Sequence, residues 1–219
     1  MRTHSKETQS TTTPQMALQF LKEGNARFMN NLKMNRNLLE QVNDTKEGQW
    51  PFAVILSCID SRTSAELIFD QGLGDVFSIR IAGNVINEDI LGSMEFACKV
   101  AGSKLIMVLG HSKCGAIKGA CNHVELGNLT GLLEKVQPAI EKVKKQGSDT
   151  VNSEFIEAVA HANTLHTMEL ILKRSPILKE MFENGEIGIA AGYYSVETGE
   201  VKFIKEKVLS LETEANYNR

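Results

Sequence analysis

The sequence predicts an α/β fold built on a mainly parallel β-sheet that is flanked by helices. Two short apolar runs, Phe52–Leu56 and Leu105–Leu109, have the length and the β-branched content of buried parallel strands. Segments with a helical spacing of apolar residues alternate with strand-like segments along the chain. A chain of 219 residues is long enough to bury one good core. We therefore expect one α/β domain.

The predicted elements can be placed along the whole chain. Thr13 and Pro14 form a helix start, with Thr as the N-cap and Pro in the first turn. The helix that follows precedes the first strand, so it could form an arm across a partner subunit or cover its own domain. Pro138 is expected to kink or break a later helix. The predicted strands are 52–56, 75–80, 105–109, 186–194 and 201–204, and the predicted helices are 13–33, 64–71, 87–100, 114–125, 129–145, 154–173 and 177–182.

The sequence predicts the limits of the domain, and its composition and charge indicate which partners and which compartment to expect. We predict a disordered tail at 1–12, a single domain at 13–206 that includes a helical arm at 13–33, and a C-terminal tail at 207–219. The net charge of −3 gives no indication of a nucleic-acid partner. The apolar runs are too short to cross a membrane, and no signal peptide is recognisable. We expect a cytoplasmic protein, although the Thr-rich N-terminal segment leaves organelle targeting open.

Three side chains predict a metal centre. Cys58 follows the first apolar run, and His111 and Cys114 follow the second in H-x-x-C spacing. Because the carboxyl ends of neighbouring parallel strands share one sheet edge, these residues should meet there. Two cysteines and one histidine with an open fourth position are typical of catalytic zinc. The fourth ligand would be Asp60 or a water, and the other two cysteines, Cys98 and Cys121, are expected to be small buried side chains.

These motifs resemble the β-class carbonic anhydrases. The sequence C-x-D-S-R from Cys58 to Arg62, followed by H-x-x-C, carries a resemblance that extends from the N-terminal helix to the last strand. The resemblance implies four parallel strands with an added antiparallel edge strand, and a dimer that can build into tetramers. It also implies that Cys58, His111 and Cys114 hold one Zn²⁺. Asp60 and Arg62 would form a dyad beside the metal: Arg62 holds Asp60 away in an open state, and Asp60 is the fourth ligand only in a closed state.

The resemblance also assigns residues of a substrate pocket. Gln49 matches a glutamine that hydrogen-bonds substrate, Phe77 and Ala82 match apolar pocket residues, and Gly115 follows the second cysteine as in the family. The family's bicarbonate-inhibited branch has Trp where this chain has Ile55, which predicts that the allosteric anion pocket is missing, although Arg80 matches one of its residues. Many members have Asn after that arginine, where this chain has Ile81.

The function implied is the reversible hydration of carbon dioxide to bicarbonate and a proton by zinc-bound hydroxide. Asp60, fixed by Arg62, would accept the proton of that hydroxide and orient it. No residue is assigned to carry the proton to buffer, and His123, His161 and His166 are candidates only by type. Two alternatives stay open at this point: a related hydrolase that acts on carbon disulfide or carbonyl sulfide, and a zinc-stabilised interaction or sensory protein without activity.

Overall fold

A five-stranded sheet forms the centre of the molecule in a computed structural model, which describes residues 3–147 and 150–207. The strand order is β2-β1-β3-β4-β5, and every pairing is parallel except that of β4 with β5. The predicted α/β class is confirmed, including the antiparallel edge strand. The strands are β1 (Ala53–Ser57), β2 (Val76–Arg80), β3 (Leu105–His111), β4 (Gly188–Tyr194) and β5 (Val201–Lys207).

The helices cover both faces of the sheet. On one face α2 and α4 pack against alternate residues of the central strands, and on the other face α5, α9 and α10 do so. The strands β1, β3 and β4 are buried along their full lengths, which explains their continuous apolar runs. The helices are α1 (Lys6–Thr11), α2 (Pro14–Met29), α3 (Leu38–Thr45), α4 (Ala65–Ile68), α5 (Glu88–Glu95), α6 (Gly115–Cys121), α7 (Gly127–Glu134), α8 (Gln137–Lys144), α9 (Ser153–Arg174) and α10 (Pro176–Glu183).

One apolar cluster packs on each face of the sheet, and a third lies beside the carboxyl edge of the parallel strands. It joins α6, α7, α8 and α9 to the loops that follow β1 and β3. The predicted break at Pro138 is confirmed, because α7 ends at Glu134 and Pro138 lies in the first turn of α8. The helix predicted for 87–100 is α5 followed by a π-helical turn over Phe96–Val100.

The N-terminal helix covers its own domain. Leu18 and Leu21 of α2 are fully buried against the sheet, in the same cluster as residues of β1 and β3. Of the two arrangements that the sequence left open, the structure therefore has the second, and the expectation of an arm that leaves the domain is wrong for this helix. The stripe of apolar residues on α2 is explained by burial within the chain.

Residues 3–12 are ordered, so the prediction of a disordered tail is wrong for this stretch. The Ser5 side chain caps α1 in a capping box with Thr8. Gln9 is buried, and its amide donates to the carbonyls of Pro51 and Ala101 at 2.8 Å each. One polar residue thus anchors the segment by hydrogen bonds, which an apolar pattern does not reveal. Residues 1 and 2 lie outside the described residues, as does the predicted C-terminal tail after Lys207, where β5 ends.

No helix among residues 3–147 and 150–207 is long and apolar enough to cross a membrane.

Candidate metal centre

Two neighbouring strands deliver the predicted ligands to one edge of the sheet. The parallel register pairs Ser57, the last residue of β1, with Leu109 of β3. Cys58 comes directly after Ser57, and His111 is the last residue of β3. Cys114 occupies the N-cap position of α6. The expectation that Cys58, His111 and Cys114 meet at the carboxyl edge is therefore confirmed.

The three donor atoms form a compact and buried set. Cys58, His111 and Cys114 each offer one ligand atom, and these atoms all lie within 4.8 Å of one another. The two sulfur atoms are 4.0 Å apart. Two sulfurs that bind one zinc tetrahedrally at about 2.3 Å lie about 3.8 Å apart, so the observed spacing fits zinc. The three residues are at most 3% exposed, which leaves the donor set shielded from bulk water.

The tautomer of His111 prepares it to bind a metal. Nδ1 lies 2.9 Å from the carbonyl oxygen of Ser112, and this contact requires Nδ1 to carry the proton and donate it. Nε2 is then an acceptor, and it is buried without a hydrogen-bond partner among the described residues. A buried polar atom without a partner is unfavourable, and a metal ion supplies the partner. The donor set therefore fits Zn²⁺ both in chemistry and in what it leaves unsatisfied.

The two thiols are electrostatically coupled. The hydrogen bond from Cys114, together with the one from the Gly83 N–H, lowers the pKa of Cys58 to about 4 despite its burial. The pKa of Cys114 is raised, because its thiol donates to the Cys58 sulfur and is buried beside that charge. The pair thus holds one thiolate readily and a second only when positive charge enters between the sulfurs. A divalent cation supplies that charge.

Asp60 and Arg62 form a bidentate ion pair beside the donor set. Arg62 Nε donates to Asp60 Oδ1 at 2.9 Å, Arg62 Nη2 donates to Oδ2 at 2.8 Å, and the Arg62 backbone N–H donates to Oδ1 at 3.0 Å. These contacts hold the pKa of Asp60 well below its usual range. Within the described part of the chain, Asp60 does not belong to the group of potential metal ligands. This geometry is the one that the resemblance describes for the open state.

The loop that carries Cys58 and Asp60 is fixed by two residues that the sequence analysis did not assign to the site. Arg80 donates to the carbonyl of Cys58 at 3.1 Å and to that of Asp60 at 2.6 Å. The Thr63 hydroxyl is 3.0 Å and 2.9 Å from the same two carbonyls. Arg80 ends β2 directly opposite Ser57, so the alignment of predicted strand ends could have identified it. Thr63 has no such signal.

The pocket residues implied by the resemblance separate into two groups. Ala82 lies beside Gly83, which contacts the Cys58 sulfur, and Gly115 directly follows Cys114. Gln49, by contrast, is exposed before the start of β1, at the opposite end of a five-residue strand that is about 17 Å long. Phe77 lies on the edge strand β2, where it pairs with Val54 of β1, and it packs its ring against Phe96. One chain therefore does not bring these two residues to its own donor set.

Of the three candidate histidines, one lies near the site. His161 stacks on Tyr193, with ring centroids 3.6 Å apart. Tyr193 belongs to the apolar cluster that contains Cys58 and Cys114. His123 is exposed after α6, and the charged groups around His166 are Glu169, Lys142 and Lys173 rather than residues of the site.

Comparison with known proteins identifies a family profile and a relative that are similar to this chain. A profile of the family described as carbonic anhydrase matches residues 53–201. The chain is 37% identical over 194 residues to carbonic anhydrase 2 of Mycobacterium tuberculosis (strain H37Rv), an alignment that covers 86% of this chain and 91% of that protein.

Two solved structures are similar in fold. The β-carbonic anhydrase CcaA superimposes with a TM-score of 0.70 and 29% sequence identity, covering 86% of this chain and 95% of that one. One of two tetrameric β-carbonic anhydrases from Sordaria macrospora superimposes with a TM-score of 0.68 at 22% identity, covering 73% of this chain and 83% of that one. At that identity the second comparison supports the fold alone.

Proposed function

The chain belongs to the β-class carbonic anhydrase family, and we propose from this premise which of its residues carry out the reaction. It is a zinc-dependent enzyme that converts carbon dioxide and water reversibly to bicarbonate and a proton. The observation that carries this conclusion is the meeting of two buried sulfurs and one imidazole nitrogen within 4.8 Å. Cys58, His111 and Cys114 would hold the zinc.

The protein's contribution begins with the charge and orientation of its ligands. Zinc held by these residues supplies a Lewis acid that lowers the pKa of water from 15.7 to about 7. His111 would hold the ion through Nε2, because its Nδ1 proton is engaged by the Ser112 carbonyl. The hydrogen bond between the two thiols lowers the pKa of Cys58 and raises that of Cys114, so the pair shares one negative charge before the ion binds. The remaining thiol proton would be released on binding of a cation, so metal binding and proton release would be coupled.

Asp60 orients the attacking water. Arg62 keeps the Asp60 carboxylate ionised, and three hydrogen bonds keep it in one position. A fixed, ionised carboxylate accepts a hydrogen bond from the water nucleophile, which directs a lone pair toward the carbon of carbon dioxide. For Asp60 to become a fourth ligand it would have to give up its bidentate pair with Arg62. We therefore propose that the resting site is open.

One histidine lies close enough to the site to carry away the proton that the reaction produces. His161 is half-buried, it stacks on Tyr193, and burial lowers its pKa below the usual value for histidine. At neutral pH the ring is then mostly neutral and able to accept a proton. We propose His161 as the shuttle in preference to His123 and His166.

We propose that a second copy of the chain completes the substrate pocket, in a dimer or a tetramer. Gln49 is exposed and Phe77 is half-buried at the edge strand β2, and neither reaches the donor set of its own chain. Their predicted roles therefore require that they face the site of a neighbouring copy. The 53% exposure of Phe96, which packs against Phe77, supports an interface at this edge. Ala82 and Gly115 line the pocket from within the chain.

We also propose that the protein works in the cytoplasm. Its four cysteines are free thiols within the described residues, and two of them are needed as thiolates. A reducing compartment keeps them in that state. Cell fractionation with an antibody to the protein would test this location.

The activity is tested by stopped-flow measurement of carbon dioxide hydration with the zinc-loaded protein. Carbon disulfide and carbonyl sulfide, which are also linear, are offered in parallel to define the substrate preference. We expect hydration far above the buffer rate and little turnover of the sulfur compounds. A rate no higher than buffer with zinc fully bound would contradict the proposal.

A further inference from the structure

The segment that joins His111 to Cys114 contains one unfavourable backbone conformation. Lys113 has a φ of +55°, in the left-handed region that residues with a Cβ adopt rarely. Its backbone N–H donates to Oε1 of Glu157 at 2.8 Å. Glu157 lies on α9, 44 positions further along the chain. A carboxylate from another element thus supports the turn on which two metal ligands depend.

Glu157 is itself held in place from the sheet. Its second oxygen, Oε2, accepts a hydrogen bond from the hydroxyl of Tyr193. Tyr193 lies on β4 directly opposite Gly110, the residue before His111. His161, one turn along α9 from Glu157, stacks on the Tyr193 ring. The carboxylate therefore bridges the segment between the ligands and the strand beside His111.

The contacts of Glu157 argue for a geometric role. Oε1 accepts from the Lys113 N–H and Oε2 accepts from the Tyr193 hydroxyl, so both carboxylate oxygens are engaged by the protein. A cavity of about 530 Å³ is lined by both Cys114 and Glu157, which places these contacts beside the donor set.

We infer that Glu157 is a positioning residue that holds the His111–Cys114 turn in its metal-binding geometry. It acts through the Lys113 N–H at one end and is anchored by Tyr193 at the other. This inference rests on the proposed zinc site. Partners that orient metal ligands typically contribute tenfold to 100-fold in affinity, and because Lys113 is exposed we expect about tenfold here.

Three variants separate this role from a general effect on folding. Glu157→Ala removes both hydrogen bonds. Glu157→Gln keeps an amide oxygen that can accept from Lys113 and an amide group that can face Tyr193. Glu197→Gln is the matched control, because Glu197 pairs with the Lys113 ammonium at 2.8 Å while both side chains are more than half exposed. Zinc affinity is measured by competition with a chromogenic chelator, the ligand geometry by the absorption spectrum of the Co²⁺ form, and stability by denaturation of the metal-free protein.

We expect Glu157→Ala to bind zinc about tenfold more weakly and to shift the cobalt spectrum, with Glu157→Gln restoring most of both. Glu197→Gln should match the wild type, and the denaturation midpoints of the metal-free proteins should agree. The inference is overturned if Glu157→Ala has wild-type zinc affinity and an unchanged cobalt spectrum. It is also overturned if both Glu157 variants lose zinc affinity and lose an equal amount of stability in the metal-free form. The loss of affinity would then reflect a general effect on folding. If the wild type itself fails to bind zinc, the site proposed above is wrong.

Discussion

Gly110, the residue before His111, controls how closely helix α9 approaches the sheet. A Cβ added at Gly110 would lie 2.1 Å from Thr164 Oγ1 and 3.3 Å from both Thr164 Cβ and Tyr193 Cδ2. Thr164 is fully buried, and its hydroxyl donates to the carbonyl of Ala160 at 2.9 Å. Gly110→Ala therefore forces either a shift of α9 by more than 1 Å or a rotation of Thr164 that breaks this bond.

The expected cost follows from these two responses. Overpacking a close-packed core costs about 1–3 kcal/mol, and loss of a buried hydrogen bond costs a similar amount. We predict that Gly110→Ala lowers the free energy of unfolding of the metal-free protein by about 3 kcal/mol. For a domain of this size that corresponds to a fall in Tm of about 6–12 °C. Denaturant unfolding followed by circular dichroism provides the measurement.

A second substitution tests the cause. Adding Thr164→Ala removes the clashing Oγ1, so the double variant should be more stable than the sum of the single effects by more than about 1 kcal/mol. Thr164→Val keeps two γ atoms and should not rescue. Gly131→Ala is the matched glycine control in α7, since a Cβ there meets nothing within 4 Å. A Gly110→Ala protein within about 1 kcal/mol of wild type would refute the reasoning.

Three further predictions address the site and the N-terminal segment. Cys58→Ser should lose zinc and activity together, while Cys98→Ala, which changes a buried cysteine outside the donor set, should keep both. Asp60→Asn should bind zinc fully but lower kcat/KM about 100-fold, and wild-type turnover would exclude Asp60 from catalysis. Burial lowers the pKa of His4 in the folded protein, so the unfolded chain binds a proton at this side chain more readily. The stability of the metal-free protein should therefore fall as the pH drops below about 6.5. His4→Gln should flatten that fall, and an unchanged pH profile would contradict it.

Sequence reasoning predicted the metal centre because its ligands are tied to strand ends. Parallel strands place their carboxyl ends at one edge, so Cys58 and His111 had to converge once both apolar runs were recognised as neighbouring strands. Cys114 follows at a spacing that the turn dictates. The chemistry of these residue types then indicated zinc before any distance was known.

Contacts between distant polar residues were beyond reach. Glu157 meets Lys113 only because α9 lies across the end of β3, and no periodicity encodes that crossing. Residues 3–12 are held to the domain in part by the two hydrogen bonds of Gln9, which a polar composition conceals. Gln49 was assigned by its position in a motif. It lies before the amino end of β1, whereas Cys58 follows the carboxyl end, and this separation appears only when the strand direction is traced in three dimensions.

The most direct test of the zinc site is X-ray absorption spectroscopy of the purified, metal-loaded protein at neutral pH. We predict two sulfur neighbours at about 2.3 Å and one nitrogen with one oxygen at about 2.0–2.1 Å, from a single zinc per chain. Substituting Cys58 should remove the signal of bound zinc. A shell of four protein nitrogens and sulfurs, or no zinc at all, would contradict the account, because neither leaves a position at which water can react with carbon dioxide.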